Sequence, residues 1–362
     1  MTLQQTHLSE EHKKLGAKLA EFGGWLMPIQ YDGIIAEHNW TRNSASIFDI
    51  GHMGEFIIKG NLKASGLDKI ITTNLDKAKC GSCHYGFMTA DDGGIIDDVI
   101  VYKIGEEEWM LVVNAATTAQ DEEHIKRHLS KDSEFNNVSK NLAKIDLQGP
   151  LARDVLKKNA SPDIETLKYY TFGHFDILGE NSIISRTGYT GELGYEIYIE
   201  NKKVNDLWNI LLKDERVKPA GLGARDTLRL EMCLPLYGHD IDKNTTPLEA
   251  GFDRFVDFDK DFIGKDVLLR DRKKGITKKL TPFMSESRRA PRHGYKIIVN
   301  GENVGVVTSG SFSPSLFRGI GLGYVSFPES KTGNNIILKN SDIEIKAKIS
   351  DRPFYKNGSV KK

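Results

Sequence analysis

Gly93-Gly94-Ile95-Ile96-Asp97-Asp98-Val99-Ile100-Val101-Tyr102 sets two adjacent carboxylates inside an apolar run rich in β-branched residues. That composition reads as a strand, and Asp92-Gly93-Gly94 in front of it has the chemistry of a tight hairpin turn. Successive side chains on a strand point to opposite faces, so Asp97 and Asp98 are expected to meet different surroundings. An ionised carboxylate in an apolar strand is costly unless it is paired or used. At least one of the two is expected to carry function, and the alternative, an Asx-type cap at the end of the turn, suits Asp97 better than Asp98.

Outward from this hairpin, GEFIIKG and EWMLVVNAA read as further strands, and TAQDEEHIKRHLS as a charged helix leading to the strand NLAKIDLQG. Toward the N-terminus, Ser9 is expected to cap a helix with Leu15, Leu19 and Phe22 on its apolar face, stopped by Gly23 and Gly24. Strands and helices keep alternating up to GLGARDTLRLEMCLP, a loop entering a helix that offers Leu222, Leu228, Leu230 and Met232 for burial before Pro235. After about Lys279 helical periodicity disappears. Short apolar strands with NG, SG and KTG turns then predict an antiparallel barrel or sandwich. The class is α+β, and 362 residues exceed what one core serves, so two or three domains are expected.

The 50 basic and 50 acidic side chains cancel, which argues against a nucleic-acid partner or docking on an anionic membrane. The first residues carry acidic groups and no long apolar run, and the cysteines are only Cys80, Cys83 and Cys233; both features predict a cytoplasmic protein without disulfides.

Cys80-Gly-Ser-Cys83-His84 has redox or metal spacing but no second pair of ligands, and it precedes a strand, so it reads as incidental. Gly221-Leu222-Gly223-Ala224-Arg225-Asp226 lacks the third glycine of a dinucleotide fingerprint. His38, His52 and His239 fit ordinary hydrogen-bonded structural roles. In Ser185-Arg186-Thr187-Gly188-Tyr189-Thr190-Gly191-Glu192-Leu193-Gly194-Tyr195-Glu196, three evenly spaced glycines would let backbone approach a flat ligand, or would simply build an irregular hairpin. Glu196 then opens an alternating strand and could point into a cleft, offering paired acceptors to a 2-amino-4-oxo-pyrimidine edge such as a pterin's.

Together with GGWLMPIQY (23–31), FDIGHMGEF (48–56), PAGLGARDTLRLE (219–231), PLYGHDID (235–242), TPLEAGFDRFV (246–256), SGSFSPSL and DRPFYKNGSV, these segments resemble the aminomethyltransferase family, the glycine cleavage T-protein, along essentially the whole chain. One departure is Gly51, where the family commonly has serine.

The resemblance implies a three-domain, cloverleaf-like α+β fold with a C-terminal jelly-roll-like β barrel and tetrahydrofolate in a central channel. The implied division is 1–52 with 140–278 as a discontinuous folate-binding domain, 53–139 as an inserted domain, and 279–362 as the barrel. It further implies that Asp98 approaches the reacting folate nitrogens, that Glu196 binds the pterin, and that Arg225 is the folate-site arginine. Met53, Tyr85, Asn114, Tyr169 and Tyr189 would wall the rings.

The implied activity moves a methylene carbon from the aminomethyl-dihydrolipoyl arm of H-protein to tetrahydrofolate, releasing ammonia, with no metal. Two other readings are a related folate-dependent demethylase and a non-catalytic folate-binding relative that assists iron–sulfur maturation. The latter lacks its KGCYxGQE signature here, where FDKDFIGKDVL stands.

Overall fold

A computed structural model describes residues 2–361. The Asp92-Gly93-Gly94 turn does what its chemistry dictates: Gly93 takes the left-handed φ of 81°, and the strands Cys83–Thr89 and Ile95–Gly105 pair antiparallel around it. The Asx cap belongs to Asp92, whose carboxylate accepts the Gly94 N–H at 3.0 Å. The expectation that gave this role to Asp97 is corrected, because Asp97 lies two residues inside the strand and is fully buried.

These two strands open a five-stranded sheet that continues through Glu108–Val113, Gly54–Lys59 and Glu134–Asn137. One face packs Phe56, Ile58, Val99, Val101 and Leu111 with Ile125 of the helix Thr118–His128. On the other face Tyr102, Met110 and Val112 meet Phe172 and Tyr198 of a second sheet. The pleat therefore sends Asp97 toward the helix and Asp98 toward the second sheet, the divergence expected from their adjacency.

The second sheet runs Phe172–Ile177, Glu180–Ser185, Gly194–Glu200, Leu142–Gln148, Ala45–Asp49 and Val217–Pro219, antiparallel except for the last pair. Ile47, Ile145, Leu147, Tyr195 and Ile197 bury one face with Trp208 of the helix Val204–Leu211. The alternate positions Lys144, Asp146, Gln148, Glu196 and Tyr198 are buried on the opposite face, and this face is polar.

Six C-terminal strands, in the order Lys278–Ser285, Arg318–Ser326, Glu302–Ser313, Lys296–Val299, Asn335–Asn340 and Ile343–Ile349, close into an antiparallel barrel, the last pairing with the first. Helix Leu222–Glu231 ties the barrel to the second sheet. Arg229 binds Asp240, which accepts from Thr308 and Ser309, and Glu231 accepts from Arg42, Ser313 and Ser315. Leu228 and Leu230 of that helix are buried, whereas Leu222 and Met232 stay partly exposed. No helix of the described residues is long and apolar enough to cross a membrane.

The N-terminal helix is shorter than its apolar spacing suggested. It spans Ser9–Lys14, and Leu19 and Phe22 belong instead to the hairpin Lys18–Phe22 with Trp25–Gln30. Gly23 and Gly24, both at positive φ, form a two-residue hairpin turn, so the glycines read as a helix stop are a strand reversal. Ser9 is the first helical residue and donates to Gln5 rather than capping.

Candidate active site

Asp98 reaches the space between the two sheets near the start of its strand. The Tyr85 hydroxyl on the neighbouring strand donates to its Oδ2 at 2.9 Å, and Asn114 Nδ2 donates to its Oδ1 at 2.9 Å. Asn114 follows directly after the strand Glu108–Val113 and also binds Asp97, through its backbone N–H at 2.9 Å and Nδ2 at 2.8 Å. Burial, and then the charge of Asp97, raise the Asp98 pKa, against the pull of the two donors. A carboxyl group so tuned can exchange a proton near neutral pH and, when ionised, face a cation.

On the second sheet Glu196 is 5% exposed and lies 3.5 Å from Lys144 Nζ, with Tyr198 and Tyr102 donating to the same oxygen at 3.2 and 3.4 Å. Burial opposes its ionisation, but Lys144 and then Arg225 pull its pKa below the usual carboxylate value. Arg225 comes from the first turn of its helix, donates to Asp146 at 2.6 Å and sits 5.0 Å from the centre of the Tyr189 ring. That pair makes a flat cationic platform. Tyr189 donates its hydroxyl to the Pro235 carbonyl; burial raises its pKa, with Arg229 opposing and Asp98 adding to the rise. Met53 lies beside Lys144, its sulfur 3.7 Å from Nζ.

The fold thus brings together Asp98, Tyr85 and Asn114 on one wall and Glu196, Arg225, Tyr189 and Met53 on the other. Tyr169 differs: it is 45% exposed and packs edge-on against Tyr170 at 4.8 Å. Burial, then Tyr169 and Glu196, raise the pKa of the Tyr170 phenol. The glycines of the 185–196 segment also read differently. A Cβ at Gly188 or Gly194 would strike the Gln148 amide at 2.3 and 2.1 Å, and one at Gly191 would strike Met232 at 2.4 Å. They make room for the protein's own side chains and not for a flat ligand.

His38 has its structural role, sharing hydrogen bonds with Thr227 and Ser315. His52 is buried with no partner at Nδ1, and burial lowers its pKa to about 4. His239 is exposed. Cys80 is exposed and Cys83 buried, both as free thiols.

Lys144 and Asp146 escaped the sequence reading. Their signal was present in LAKIDLQ, a strand with polar residues at every second position, the pattern that becomes a buried polar face once a second sheet covers it. Glu55, whose burial raises its pKa to about 8 against the pull of Lys144, was likewise visible only as part of GHMGEF.

The pattern of the GCVT N-terminal domain matches residues 8–260, and that of the glycine cleavage T-protein C-terminal barrel domain matches residues 278–356. The chain belongs to the glycine cleavage T-protein family. Among members of this T-protein family, the aminomethyltransferase of Halothermothrix orenii is 45% identical over 97% of this chain and 100% of its own length. That of Thermoanaerobacter pseudethanolicus is 41% identical over 99% of both. The solved structure of the glycine cleavage system aminomethyltransferase T from Bartonella henselae superposes with a TM-score of 0.93, at 30% identity and covering 99% of each chain. The likeness in fold extends over the whole α+β chain, and the closed barrel coincides with the barrel domain of the family. T-protein membership makes the chain an aminomethyltransferase of the glycine cleavage system.

Proposed function

We propose that the chain moves a methylene carbon from an aminomethyl group on the dihydrolipoyl arm of H-protein to tetrahydrofolate, with release of ammonia. The observation that carries this reading is a pair of differently tuned carboxylates, one on each of the two sheets whose faces meet. Asp98 is held by Tyr85 and Asn114 with a raised pKa, and Glu196 is held ionised beside Lys144. Such a pair divides proton handling from recognition.

The side chains present suit a reduced folate. Glu196 supplies acceptor oxygens in the anionic state that paired N–H donors of a pterin require, and the Arg225–Tyr189 platform suits a flat ring or a carboxylate. Met53 and Tyr85 would complete the apolar walls, with Tyr169 at the exposed rim. When bound, tetrahydrofolate supplies the amine nitrogens that accept the carbon. Asp98 offsets positive charge on the incoming aminomethyl group and takes a proton, and Tyr85 and Asn114 keep its two oxygens aimed at the channel. No metal is assigned a part in this reading.

The domain division that goes with it is 1–52 with 140–278 around folate, 53–139 carrying Asp98, and 279–362 as the barrel. We place the protein in the cytoplasm, supported by its balanced charge and by three cysteines that remain free thiols. The test compares methylene transfer from aminomethylated H-protein with methyl transfer from small sulfonium or amine donors, each with tetrahydrofolate. Turnover confined to H-protein supports the reading; turnover confined to small donors removes it in favour of a demethylase.

A further inference from the structure

Asp121 stands on the first turn of the helix Thr118–His128 with 0% exposure; no N–H reaches either of its oxygens, and the Thr117 hydroxyl that acts on it is given to the Asn114 carbonyl. An ionised carboxylate without a donor does not persist in such a place. This helix covers the sheet face toward which Asp97 points, and the group Asp121 meets there is the Asp97 carboxyl, in side-chain hydrogen-bonding contact. Two carboxyl groups in contact away from water must share a proton. Its seat follows from the donors: Asp97 already receives two N–H groups of Asn114, which favour its ionised form, and no N–H reaches Asp121.

The Asn114 amide has two hydrogens. One meets Asp97 Oδ1 at 2.8 Å and Nδ2 also lies 2.9 Å from Asp98 Oδ1, so the orientation of this one amide is shared between the buried acid pair and Asp98. We propose that Asp121 is a positioning residue: as a neutral acid it donates to Asp97, and Asp97 holds Asn114 so that the second amide N–H faces Asp98. The inference rests on Asp98 being the reacting carboxylate.

Burial, and then the charge of Asp97, raise the Asp121 pKa strongly, in keeping with the geometry. The other titratable groups that act with the three aspartates are Tyr85 beside Asp98, Tyr189, and Tyr237 from the segment after helix Leu222–Glu231. Thr117, whose hydroxyl donates to the Asn114 carbonyl, completes the enclosure.

The experiment measures kcat and KM against pH for the full chain with tetrahydrofolate and aminomethylated H-protein, in Asp121→Ala, Asp121→Asn and Asp98→Asn. In Asp121→Ala, Asp97 loses its donor, takes up the proton itself and ceases to repel charge on Asp98. Turnover should fall about tenfold with folate KM held within about twofold, and the acid limb should move to lower pH. In Asp121→Asn the amide can still donate to Asp97, and both rate and limb should return toward wild type. An acid limb unmoved in Asp121→Ala, or equal losses in both variants, overturns the proposal.

If Asp121→Ala does not fold, carboxyl carbon NMR on aspartate-labelled protein decides. One aspartate still protonated above about pH 8 and missing in Asp121→Asn supports the proposal, and its absence from wild type overturns it. Full turnover in Asp98→Asn brings down the reading of Asp98 itself. An inactive Asp98→Asn beside an Asp121→Ala that behaves as wild type overturns only the role of Asp121.

Discussion

Glu196 and Asp146 stand directly opposite one another in the register of two antiparallel strands, two buried carboxylates on one sheet face. Like charges so placed repel, and the arrangement persists because each has its own cation: Lys144 at 3.5 Å from Glu196 and Arg225 at 2.6 Å from Asp146. Recognition and stability are therefore joined at these four residues.

Arg225→Ala should show both effects at once. It leaves Asp146 buried beside Glu196 with its cation gone, a loss of about 3–5 kcal/mol for a buried pair, and it removes the platform formed with Tyr189. Thermal unfolding and folate titration check this; an unchanged folate dissociation constant refutes the binding role.

Lys144→Met should weaken folate binding selectively on the acid side. Without Lys144 the largest pull on Glu196 disappears and burial drives its pKa upward, so an affinity loss of about tenfold is expected near pH 6, shrinking as pH rises. A loss independent of pH would mean that Lys144 contributes shape and not charge.

Asp98→Asn should bind folate within about threefold of wild type and lose about 10²-fold or more in turnover, since it keeps volume and removes the exchangeable charge. Its stability has a definite sign. Burial and Asp97 raise the Asp98 pKa from an ordinary 3.8 to about 7, so the folded state holds this proton more tightly. The associated stability is present below about pH 4 and is lost as pH rises through 7. The variant should accordingly melt above wild type at pH 8, with the gap closing in acid; differential scanning calorimetry at both pH values reads it.

Tyr85→Phe removes a donor to ionised Asp98 and should shift the acid limb of kcat/KM to higher pH, with a rate loss of about tenfold. A limb that stays in place would detach Tyr85 from Asp98.

Gly191→Ala should cost about 1–3 kcal/mol, because φ is 78° there and a Cβ would meet the Met232 sulfur at 2.4 Å. Folate affinity of the folded fraction should remain that of wild type. Weakened affinity at unchanged melting temperature would return this glycine to the ligand.

The one-dimensional pattern was enough for what depends on neighbours along the chain. The Asp92-Gly93-Gly94 hairpin, the opposite facing of Asp97 and Asp98, the strand alternation at Glu196 and the barrel-forming tail all follow from turn chemistry and a period of two. Local pattern misled where two periods coincide, as in Leu15, Leu19 and Phe22, whose helical spacing is cut by Gly16 and turned into a hairpin by Gly23-Gly24.

What required tertiary structure is pairing between distant residues: Asn114 between Asp97 and Asp98, Lys144 beside Glu196, Arg225 on Asp146, and Asp121 under Asp97. Burial and charge at a side chain depend on what the second sheet and the covering helix bring against it. A strand's own spacing can say which way a carboxylate points, but its ionisation is decided by partners that arrive from elsewhere in the fold.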